Sequence, residues 1–195
     1  MSFMSGISRR FSLFLQSIRV RAALPYVRGR VLDVGCDRGI LVPLLPEGAI
    51  YVGVDLDPAR VQTLKNSHLE LEAYCLDVQK DVIPAGKPFD TLVALAVIEH
   101  LDKPREFLER YVPLLNIGST IVLTTPTHLG ERVHRMLQSV HVTSLTCSDL
   151  HHKIYHTPEL EELLQSYGFD IVEARYFELG MNQLVVGRKV RNAAF

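Results

Sequence analysis

Short apolar runs alternate with helical segments along most of this chain, and this alternation limits its fold more than any other feature. The runs are apolar on both faces, as strands buried inside a parallel sheet are. The segments between them carry apolar residues at helical spacing. The pattern predicts a parallel sheet covered by helices on both sides, which is the doubly wound α/β class. The predicted strands cover 31–34, 50–55, 69–77, 89–98 and 119–126.

The remaining segments carry helix and hairpin signals. Asp57 stands where a helix N-cap is expected. Near the end of the chain, the segments FDIVEARYFE and QLVVGRK favour an antiparallel hairpin. Residues 127–156 are polar with little periodicity, and we interpret them as a helix plus loop over the edge of the sheet. The predicted helices cover 8–24, 39–45, 58–66, 103–115 and 158–167.

The length and charge of the chain narrow its class. Its 195 residues suit one domain over 1–195, and a net charge of −1 argues against a polycation built for nucleic acid. The charge is uneven, because residues 1–32 carry six arginines and no acid. Residues 1–28 are therefore predicted as an N-terminal basic helix. It would cover the sheet, contact an anionic substrate or attach weakly to anionic lipid.

The cysteines and the apolar runs bear on the compartment. Cys36, Cys75 and Cys147 are far apart, and their spacing suits neither a zinc site nor a disulfide framework. No run approaches the roughly 18 apolar residues of a membrane span. The first residues resemble a signal peptide only faintly, because polar residues interrupt a short apolar patch. We expect a protein of the reducing cytoplasm, without a membrane span.

The first predicted strand ends in a glycine turn, and ligands of such sheets bind beyond the carboxyl ends of the strands. The segment reads VLDVGCDRG, in which Gly35 and Gly39 permit a tight turn or a close approach of a ligand to the backbone. A dinucleotide-binding loop would carry a further glycine where this chain has Asp37. Asp37 and Asp33 would repel a pyrophosphate and attract a cationic group.

Two more carboxylates end the next two predicted strands. Asp55 lies about 20 residues beyond the first glycine, where sheets of this class hydrogen-bond a ribose diol. Asp77 can accept a hydrogen bond from an exocyclic amine, and the backbone beside it can donate to a ring nitrogen. Each acid alone is an ordinary turn or cap residue. Turn chemistry does not predict three of them at successive strand ends.

Together these motifs resemble the class I S-adenosylmethionine (SAM)-dependent methyltransferases over about residues 20–190. The resemblance rests on VLDVGCDRG, VGVDLDP and CLDV, continues through the segment that begins FDTLVALAVIEHL, and includes YHTPELEELLQSYGF. The last two are most similar to the branch that methylates small molecules, including the ubiquinone O-methyltransferases. The resemblance implies a Rossmann-like, seven-stranded sheet that is mostly parallel and has an antiparallel last strand.

The resemblance also implies roles for the residues at the strand ends. The glycine turn would frame the methionine end of SAM, Asp55 would hold both ribose hydroxyls, and Asp77 and Val78 would meet the adenine. Ala96 and Val97 would lie beside the methyl donor. Asp37 is expected to bend toward solvent or toward the ammonium group of SAM. The implied cofactor-binding residues are Asp33, Gly35, Cys36, Gly39, Asp55, Leu56, Asp77, Val78 and Ala96.

Candidates for metal binding and proton transfer follow the fourth predicted strand. In the ubiquinone O-methyltransferases and the small-RNA 3′-end methyltransferases, a Glu-x-x-Glu-His stretch supplies metal ligands. Glu99 and His100 match its end, but Ala96 replaces its first glutamate, so we expect no metal site. Six of the eight histidines fall within 127–156, the predicted substrate lid. Neutral histidine suits proton transfer near pH 7, so the catalytic candidates are His100, His151 and His152. Capping, packing or a solvated loop stay open as alternative roles.

The sequence therefore predicts a SAM-dependent methyltransferase that acts on a small molecule, with oxygen as the acceptor atom. A small-molecule acceptor, and not nucleic acid, is the expected partner. Three alternatives stay open. One is a nucleotide-cofactor oxidoreductase with a similar sheet, and another is a non-catalytic member that binds the cofactor or a protein. The third is an RNA methyltransferase with residues 1–32 as a basic arm.

Overall fold

One seven-stranded sheet forms the centre of the molecule, with the strand order β3-β2-β1-β4-β5-β7-β6. The structure is a computed structural model that describes residues 14–84, 86–139 and 153–192. The strands are β1 (Arg30–Val34), β2 (Ile50–Asp55), β3 (Glu72–Cys75), β4 (Phe89–Leu95), β5 (Leu115–Pro126), β6 (Phe169–Phe177) and β7 (Asn182–Lys189).

Helices connect these strands and cover both faces of the sheet. Within the described ranges the α-helices are α1 (residues 14–23), α2 (Pro58–Ser67), α3 (Pro104–Tyr111), α4 (His128–Ser139) and α5 (Thr157–Ser166). Short 3-10 turns lie at Leu24–Tyr26, Val42–Leu44, Ile98–His100 and Val112–Leu114. Residues 8–13 of the first predicted helix lie outside the described residues. None of the described helices is long and apolar enough to cross a membrane.

The order of the strands places a topological switch between β1 and β4. The chain runs outward through β1, β2 and β3, and then returns to β4 on the other side of β1; all of these pairs are parallel. β7 is antiparallel to both of its neighbours, β5 and β6. The predicted fold, a mostly parallel seven-stranded sheet with an antiparallel last strand, is confirmed. Ligands of such sheets bind at the carboxyl ends of the strands beside the switch.

Two apolar layers hold the helices to the sheet. On one face, Val20 and Ala23 of α1 and Leu64 of α2 pack against strand residues such as Val93. On the other face, α3 and α5 supply the buried side chains of Phe107, Leu108, Leu160 and Leu164. Each fully buried side chain of this size contributes about 1.5–3 kcal/mol to folding. Strand residues are apolar on both faces because both faces are covered.

The segment after β1 differs from its prediction. A helix over 39–45 was expected, but the chain makes turns and then one 3-10 turn at Val42–Leu44. Gly39 has a φ of +81°, which no right-handed helix contains. Pro43 and Pro46 limit the continuation of a helix because proline has no backbone N–H. The β1 turn is therefore followed by irregular backbone instead of a helix.

Most other boundaries agree with the predictions, with four differences. β3 is shorter than the apolar run at 69–77, and β5 extends to Leu115 at its start. The α-helix expected over 103–115 ends at Tyr111, and a 3-10 turn at Val112–Leu114 follows it. β4 ends at Leu95 because Ala96 has a φ of +57°, which no extended strand contains. Asp57 caps α2 as predicted, since its Oδ1 accepts the Ala59 N–H at 2.8 Å. In the predicted lid, α4 is helical as far as Ser139, and residues 140–152 lie outside the described residues.

Candidate functional site

The carboxyl ends of β1, β2 and β3 bring together acidic residues that are far apart in sequence. In the sheet register, Asp33 of β1 pairs with Gly53 of β2, and Asp55 of β2 pairs with Cys75 of β3. Asp33 and Asp55 therefore end adjacent parallel strands, beside the switch to β4. Asp77 follows β3, and the Leu76 N–H donates to the Asp55 carbonyl oxygen at 3.1 Å. The three predicted carboxylates share one edge of the sheet.

The glycine turn after β1 is held between β2 and the segment after β4. The backbone N–H groups of Gly35 and Cys36 donate to the Val54 carbonyl oxygen at 2.8 and 3.0 Å. Gly35 has a φ of +73°, and a Cβ on it would lie 2.5 Å from Val97 Cγ2. Any larger residue would thus be strained and would also collide with Val97. The contact brings the β1 turn and the β4 end together, as the prediction requires.

The Asp55 carboxylate joins two loops. Its Oδ2 accepts the Asp37 N–H and its Oδ1 accepts the Asp57 N–H, both at 2.9 Å. Asp55 itself is buried. Each carboxylate oxygen has two lone pairs, so one acceptor position per oxygen is left after these bonds. The group can therefore hold the loops and still accept two further hydrogen bonds.

A polar group of three side chains lies beneath the glycine turn. Asp33 is only 5% exposed, and its Oδ2 accepts a 2.8 Å hydrogen bond from the Tyr51 hydroxyl. Burial raises the pKa of Asp33 to about 7; the Tyr51 bond acts in the lowering direction, and the Asp55 charge in the raising direction. Burial also raises the pKa of the neighbouring Cys36 thiol. Cys36 is therefore an unreactive, packed thiol, and its side chain faces the interior.

Asp37 forms an ion pair with α2. Its side chain is expected to bend toward solvent or toward the ammonium group of SAM; in the structure its Oδ1 lies 3.4 Å from the Nε of Arg60, and both side chains are partly exposed. The Asp37 backbone has a φ of +48°. Aspartate tolerates this left-handed conformation better than most residues, which explains how it replaces the usual glycine. Its charge is paired with Arg60 of α2.

The end of β3 presents a mixed polar and apolar surface. The Asp77 carboxylate lies 2.7 Å from the Lys80 ammonium and accepts the Gln79 N–H at 3.0 Å. The hydrogen bond to Lys80, more than any other interaction, lowers the pKa of Asp77. Val78 is half-buried, whereas Leu56 is 69% exposed at the end of β2. The apolar side chain of Leu56 suits the face of a planar base, and the Asp77 carboxylate suits a hydrogen-bond donor on its edge.

The backbone is strained at the end of β4. Ala96 has a φ of +57°, and its N–H donates to the Thr124 carbonyl oxygen of β5 at 2.9 Å. A non-glycine residue in this region is uncommon and costs free energy, and such residues concentrate at functional sites. Val97 follows and contacts Gly35, so Ala96 is held next to the turn where the methyl donor is expected.

Glu99 lies just beyond this strained residue, in the 3-10 turn at Ile98–His100. It is 1% exposed, and neither carboxylate oxygen has a hydrogen-bond partner among the described residues. Burial raises the pKa of Glu99 to about 7, while its own backbone N–H, the Arg19 cation and the nearby Thr125 hydroxyl act in the lowering direction. These groups influence the Glu99 charge without forming a well-aligned hydrogen bond with it.

The structure separates the histidines that the sequence left as one group. His100 ends the 3-10 turn and is half-buried, whereas His151 and His152 lie outside the described residues. His128 and His156 lie together, with ring centroids 4.5 Å apart. They line an open cavity of about 280 Å³ beside the carboxyl end of β5, together with Thr127, Tyr155, Tyr176 and Gln183. The sequence carried no signal for this pairing, because the two rings are 28 positions apart.

Within residues 14–84, 86–139 and 153–192, no group of three or more His, Cys, Asp or Glu side chains is placed to hold a metal ion.

Sequence reasoning missed two polar residues that act on the buried acids of this edge, Tyr51 on Asp33 and Arg19 on Glu99. The available signal for Tyr51 was that it carries the one hydroxyl in an otherwise apolar strand. The signal for Arg19 was a charged residue within the apolar pattern of the first helix.

Comparison with known proteins identifies the family. A family model described as a methyltransferase domain matches residues 7–174, most of the chain. The chain belongs to this methyltransferase family. The predicted recognition is therefore confirmed, and it favours the methyltransferase over the oxidoreductase that the sequence left open.

Individual relatives agree with this methyltransferase assignment. A ubiquinone biosynthesis O-methyltransferase of Cereibacter sphaeroides (strain ATCC 17025) is 32% identical over 109 residues, covering 53% of this chain and 44% of the relative. The methyltransferase described here thus spans less than half the length of that relative.

Two solved structures share the fold of this chain. A SAM-dependent methyltransferase from Archaeoglobus fulgidus has a TM-score of 0.70 at 21% identity, with 91% of this chain and 94% of that chain covered. The plantazolicin methyltransferase BpumL, in complex with a triazolic desmethylPZN analog and S-adenosylhomocysteine (SAH), has a TM-score of 0.69 at 15% identity, with 96% of this chain and 89% of that chain covered.

Proposed function

We propose that this chain transfers a methyl group from SAM to an oxygen atom of a small molecule. The observation that supports it most is the arrangement of Asp33 and Asp55 around Gly35, at the switch between β1 and β4. The Asp55 carboxylate keeps one acceptor position on each oxygen, which suits the two hydroxyls of a ribose. Gly35 has a positive φ and no side chain, which lets the turn pack tightly against Val97 at the edge where the ligand is proposed to bind.

The other residues at this edge also fit SAM. Asp33 is a buried acid that a neighbouring cation would ionise, and an amino-acid ammonium is such a cation. Leu56 offers an exposed apolar surface to a base. Asp77 and the backbone of Val78 offer an acceptor and a donor at its edge. Cys36 and Gly39 contribute by shaping the turn, since the Cys36 thiol is buried and a Cβ on Gly39 would meet Leu64 at 2.4 Å.

When bound, SAM supplies a methyl group on a positively charged sulfur, which is already a strong electrophile. The residues of the chain then have two tasks. They must hold the acceptor in line with the methyl group, which is a proximity effect. They must also accept the proton of a hydroxyl, which is general-base catalysis. We propose His100, His151 or His152 for the second task, with residues 127–156 closing over the acceptor.

The first experiment measures which cofactor binds. Isothermal titration calorimetry of the purified protein should give saturable binding of SAM and SAH, and no binding of NAD. Binding of NAD in place of SAM would overturn the proposal. Steep loss of RNA affinity with rising salt would instead support the RNA-methylating alternative.

The second experiment identifies the acceptor atom. Transfer of labelled methyl from SAM is followed with pairs of small molecules that differ only in carrying a hydroxyl or an amine at one position. Label should enter the hydroxyl members only, and alanine at the catalytic histidine should reduce the rate by about 100-fold or more. Entry into the amines would exclude oxygen specificity. Cofactor binding without transfer to any member would favour a non-catalytic role.

The compartment is a separate part of the proposal. Cys36 and Cys75 are both free thiols, which supports a reducing, cytoplasmic setting. Cell fractionation followed by immunodetection should find the protein with cytoplasmic markers. Recovery of the protein with exported markers would contradict this part alone.

A further inference from the structure

A cavity of about 280 Å³ lies at the carboxyl end of β5, two strands away from β1 in the sheet. Its walls come from the start of α4, from the residues before α5 and from the hairpin of β6 and β7. They include Thr127, His128, Tyr155, His156, Tyr176 and Gln183. Small-molecule sites have volumes from about 300 Å³ upward. The cavity therefore has room for a small ligand, and it is separate from the acidic edge at β1, β2 and β3.

Two walls of this cavity are bonded to the segment at the end of β4, where the methyl donor is expected. The Ala96 N–H donates to the Thr124 carbonyl oxygen of β5 at 2.9 Å. The first wall begins at Thr127, three residues further along the chain. The segment that leads to α5 is held to the turn after β4, because the Lys153 N–H donates to the Glu99 carbonyl oxygen at 3.3 Å. The cavity thus borders the region that a methyl acceptor has to reach.

Hydrogen bonds between the walls fix the shape of the cavity. The Thr127 hydroxyl at the start of α4 donates to the Gly180 carbonyl oxygen of the hairpin at 2.7 Å. The Gln183 amide group donates to the Tyr155 carbonyl oxygen at 2.6 Å, and its oxygen accepts the Thr157 hydroxyl at 2.7 Å. Each of these bonds joins two different walls. The cavity is therefore already formed in the structure.

Two histidine rings distinguish this cavity from an ordinary apolar cleft. The ring centroids of His128 and His156 are 4.5 Å apart, and the ring planes are inclined by 39°. The backbone holds His156 in place, because its N–H donates to the Glu159 carboxylate at 2.8 Å. A neutral imidazole has one N–H donor and one acceptor nitrogen. Two neighbouring rings can therefore both donate to and accept from a single hydroxyl group.

The charge of the lining limits the class of ligand. Among the described residues, none of the side chains that line the cavity carries a permanent charge. The acids that follow the two histidines are paired, Glu131 with Arg135 at 2.7 Å and Glu159 with Lys153 at 3.0 Å. An ion without a counter-charge is costly to bury. Leu129 and the two tyrosine rings add apolar surface, so the lining suits an uncharged molecule that is mostly apolar.

We propose that this cavity binds the methyl acceptor and that His128 and His156 hold its hydroxyl group. The acceptor is then an uncharged molecule with a small apolar body. The inference rests on the proposed function, which supplies the methyl acceptor and its hydroxyl. It assigns these two histidines a direct contact with the acceptor, in addition to His100, His151 and His152 as the candidates for proton transfer.

The experiment uses phenol and toluene, two flat probes of similar size of which only phenol carries a hydroxyl. Each is titrated into the protein saturated with SAH, and the histidine ring signals are followed by NMR. Phenol should shift the signals of His128 and His156, which the variants assign, and should bind more tightly than benzoate, whose ring carries a charge. In His128→Phe and His156→Phe, the ratio of phenol affinity to toluene affinity should fall about fivefold, the effect of one net hydrogen bond.

His68→Phe is the matched control, because His68 ends α2 and lies outside the cavity lining. The ratio should be unchanged in this variant, and retained toluene binding in the other two shows that their cavity is intact. If phenol shifts neither histidine signal of the wild-type protein, the inference fails even if a variant does not fold. An unchanged ratio in both cavity variants, or an equal fall in His68→Phe, also overturns it.

Two further outcomes are separate from these. Tighter binding of benzoate than of phenol would contradict the uncharged class of acceptor. SAH binding, measured by calorimetry before the probes are added, distinguishes the inference from the proposed function. If SAH binds and the probes do not, only the inference fails. If SAH does not bind, the proposed function fails, and the inference fails with it.

Discussion

The Tyr51 hydroxyl donates a 2.8 Å hydrogen bond to the Asp33 carboxylate, directly beneath the turn that carries Gly35. Both side chains are buried, and they belong to adjacent parallel strands. The bond opposes the effect of burial on the Asp33 pKa. Tyr51 thereby adjusts the pH at which this acid becomes an anion, although it lies outside the motifs that define the turn.

Removal of that hydroxyl should shift cofactor binding along the pH axis. In Tyr51→Phe, Asp33 loses the hydrogen bond that stabilises its charged form, so its pKa should rise above about 7. The variant should lose about 1–3 kcal/mol of stability at alkaline pH, the usual cost of an unsatisfied buried acceptor. The midpoint of the pH dependence of SAH affinity should move upward. An unchanged midpoint would show that Asp33 does not sense the ligand.

The stability of the free protein should fall as pH rises from about 4 to about 7. Asp33 and Glu99 have folded-state pKa values raised to about 7, from reference values of 3.8 and 4.5. In this window the folded state keeps protons that the unfolded chain has released, so deprotonation favours unfolding. Each pKa unit of difference corresponds to about 1.4 kcal/mol. Urea unfolding across this range measures the slope.

Two variants identify the source of that slope. Asp33→Asn and Glu99→Gln should each flatten it, because neither replacement side chain titrates. Asp77→Asn should leave it in place, since the hydrogen bond to Lys80 lowers the Asp77 pKa and moves its titration below this window. A slope that persists in the double variant of Asp33 and Glu99 would assign the pH dependence to other groups.

Gly35 should tolerate alanine less well than another glycine with a similar backbone. Gly35→Ala combines a φ of +73° with a Cβ only 2.5 Å from Val97 Cγ2, whereas Gly48 has a φ of +78° and no atom within 4 Å of its Cβ position. Gly48→Ala should therefore lower the free energy of unfolding only by the cost of the left-handed backbone, about 1–2 kcal/mol. Gly35→Ala should lower it by more. Val97→Ala should restore part of the loss in Gly35→Ala. Equal losses in the two single variants would exclude the contact with Val97 as the cause.

The parts of this molecule that the sequence predicted depend on local pattern. Buried strands are apolar on both faces, and Asp57 precedes Pro58 at a helix start, so both could be read directly. The acids at the strand ends were predictable because parallel strands end at one edge. The irregular turn at 39–45 was missed because its apolar residues have helical spacing, although Pro43 and Pro46 interrupt it.

Long-range contacts are the part that the sequence could not supply. Arg19 and Glu99 are 80 positions apart, and His128 and His156 are 28 apart; no periodicity connects either pair. The Arg19 cation acts on Glu99 because α1 packs over β4 and β5, and the two histidine rings meet because α4 and α5 both begin at the same edge of the sheet. The charged neighbours of Glu99 could therefore be identified only from the structure, whereas the motif that contains Glu99 could be recognised in the sequence.

Asp55 and Asp57 should separate ligand binding from helix capping, although only one residue lies between them. Asp55→Ala removes the acceptor for two backbone N–H groups and the proposed partner of the ribose, so it should both destabilise the protein and abolish measurable SAH binding. Asp57→Ala removes the N-cap of α2, which costs about 1 kcal/mol, and should leave SAH affinity within about twofold after correction for the folded fraction. Calorimetry and denaturant unfolding on both variants make the comparison. Loss of SAH binding in Asp57→Ala, with binding retained in Asp55→Ala, would show that Asp57 and not Asp55 contacts the ribose.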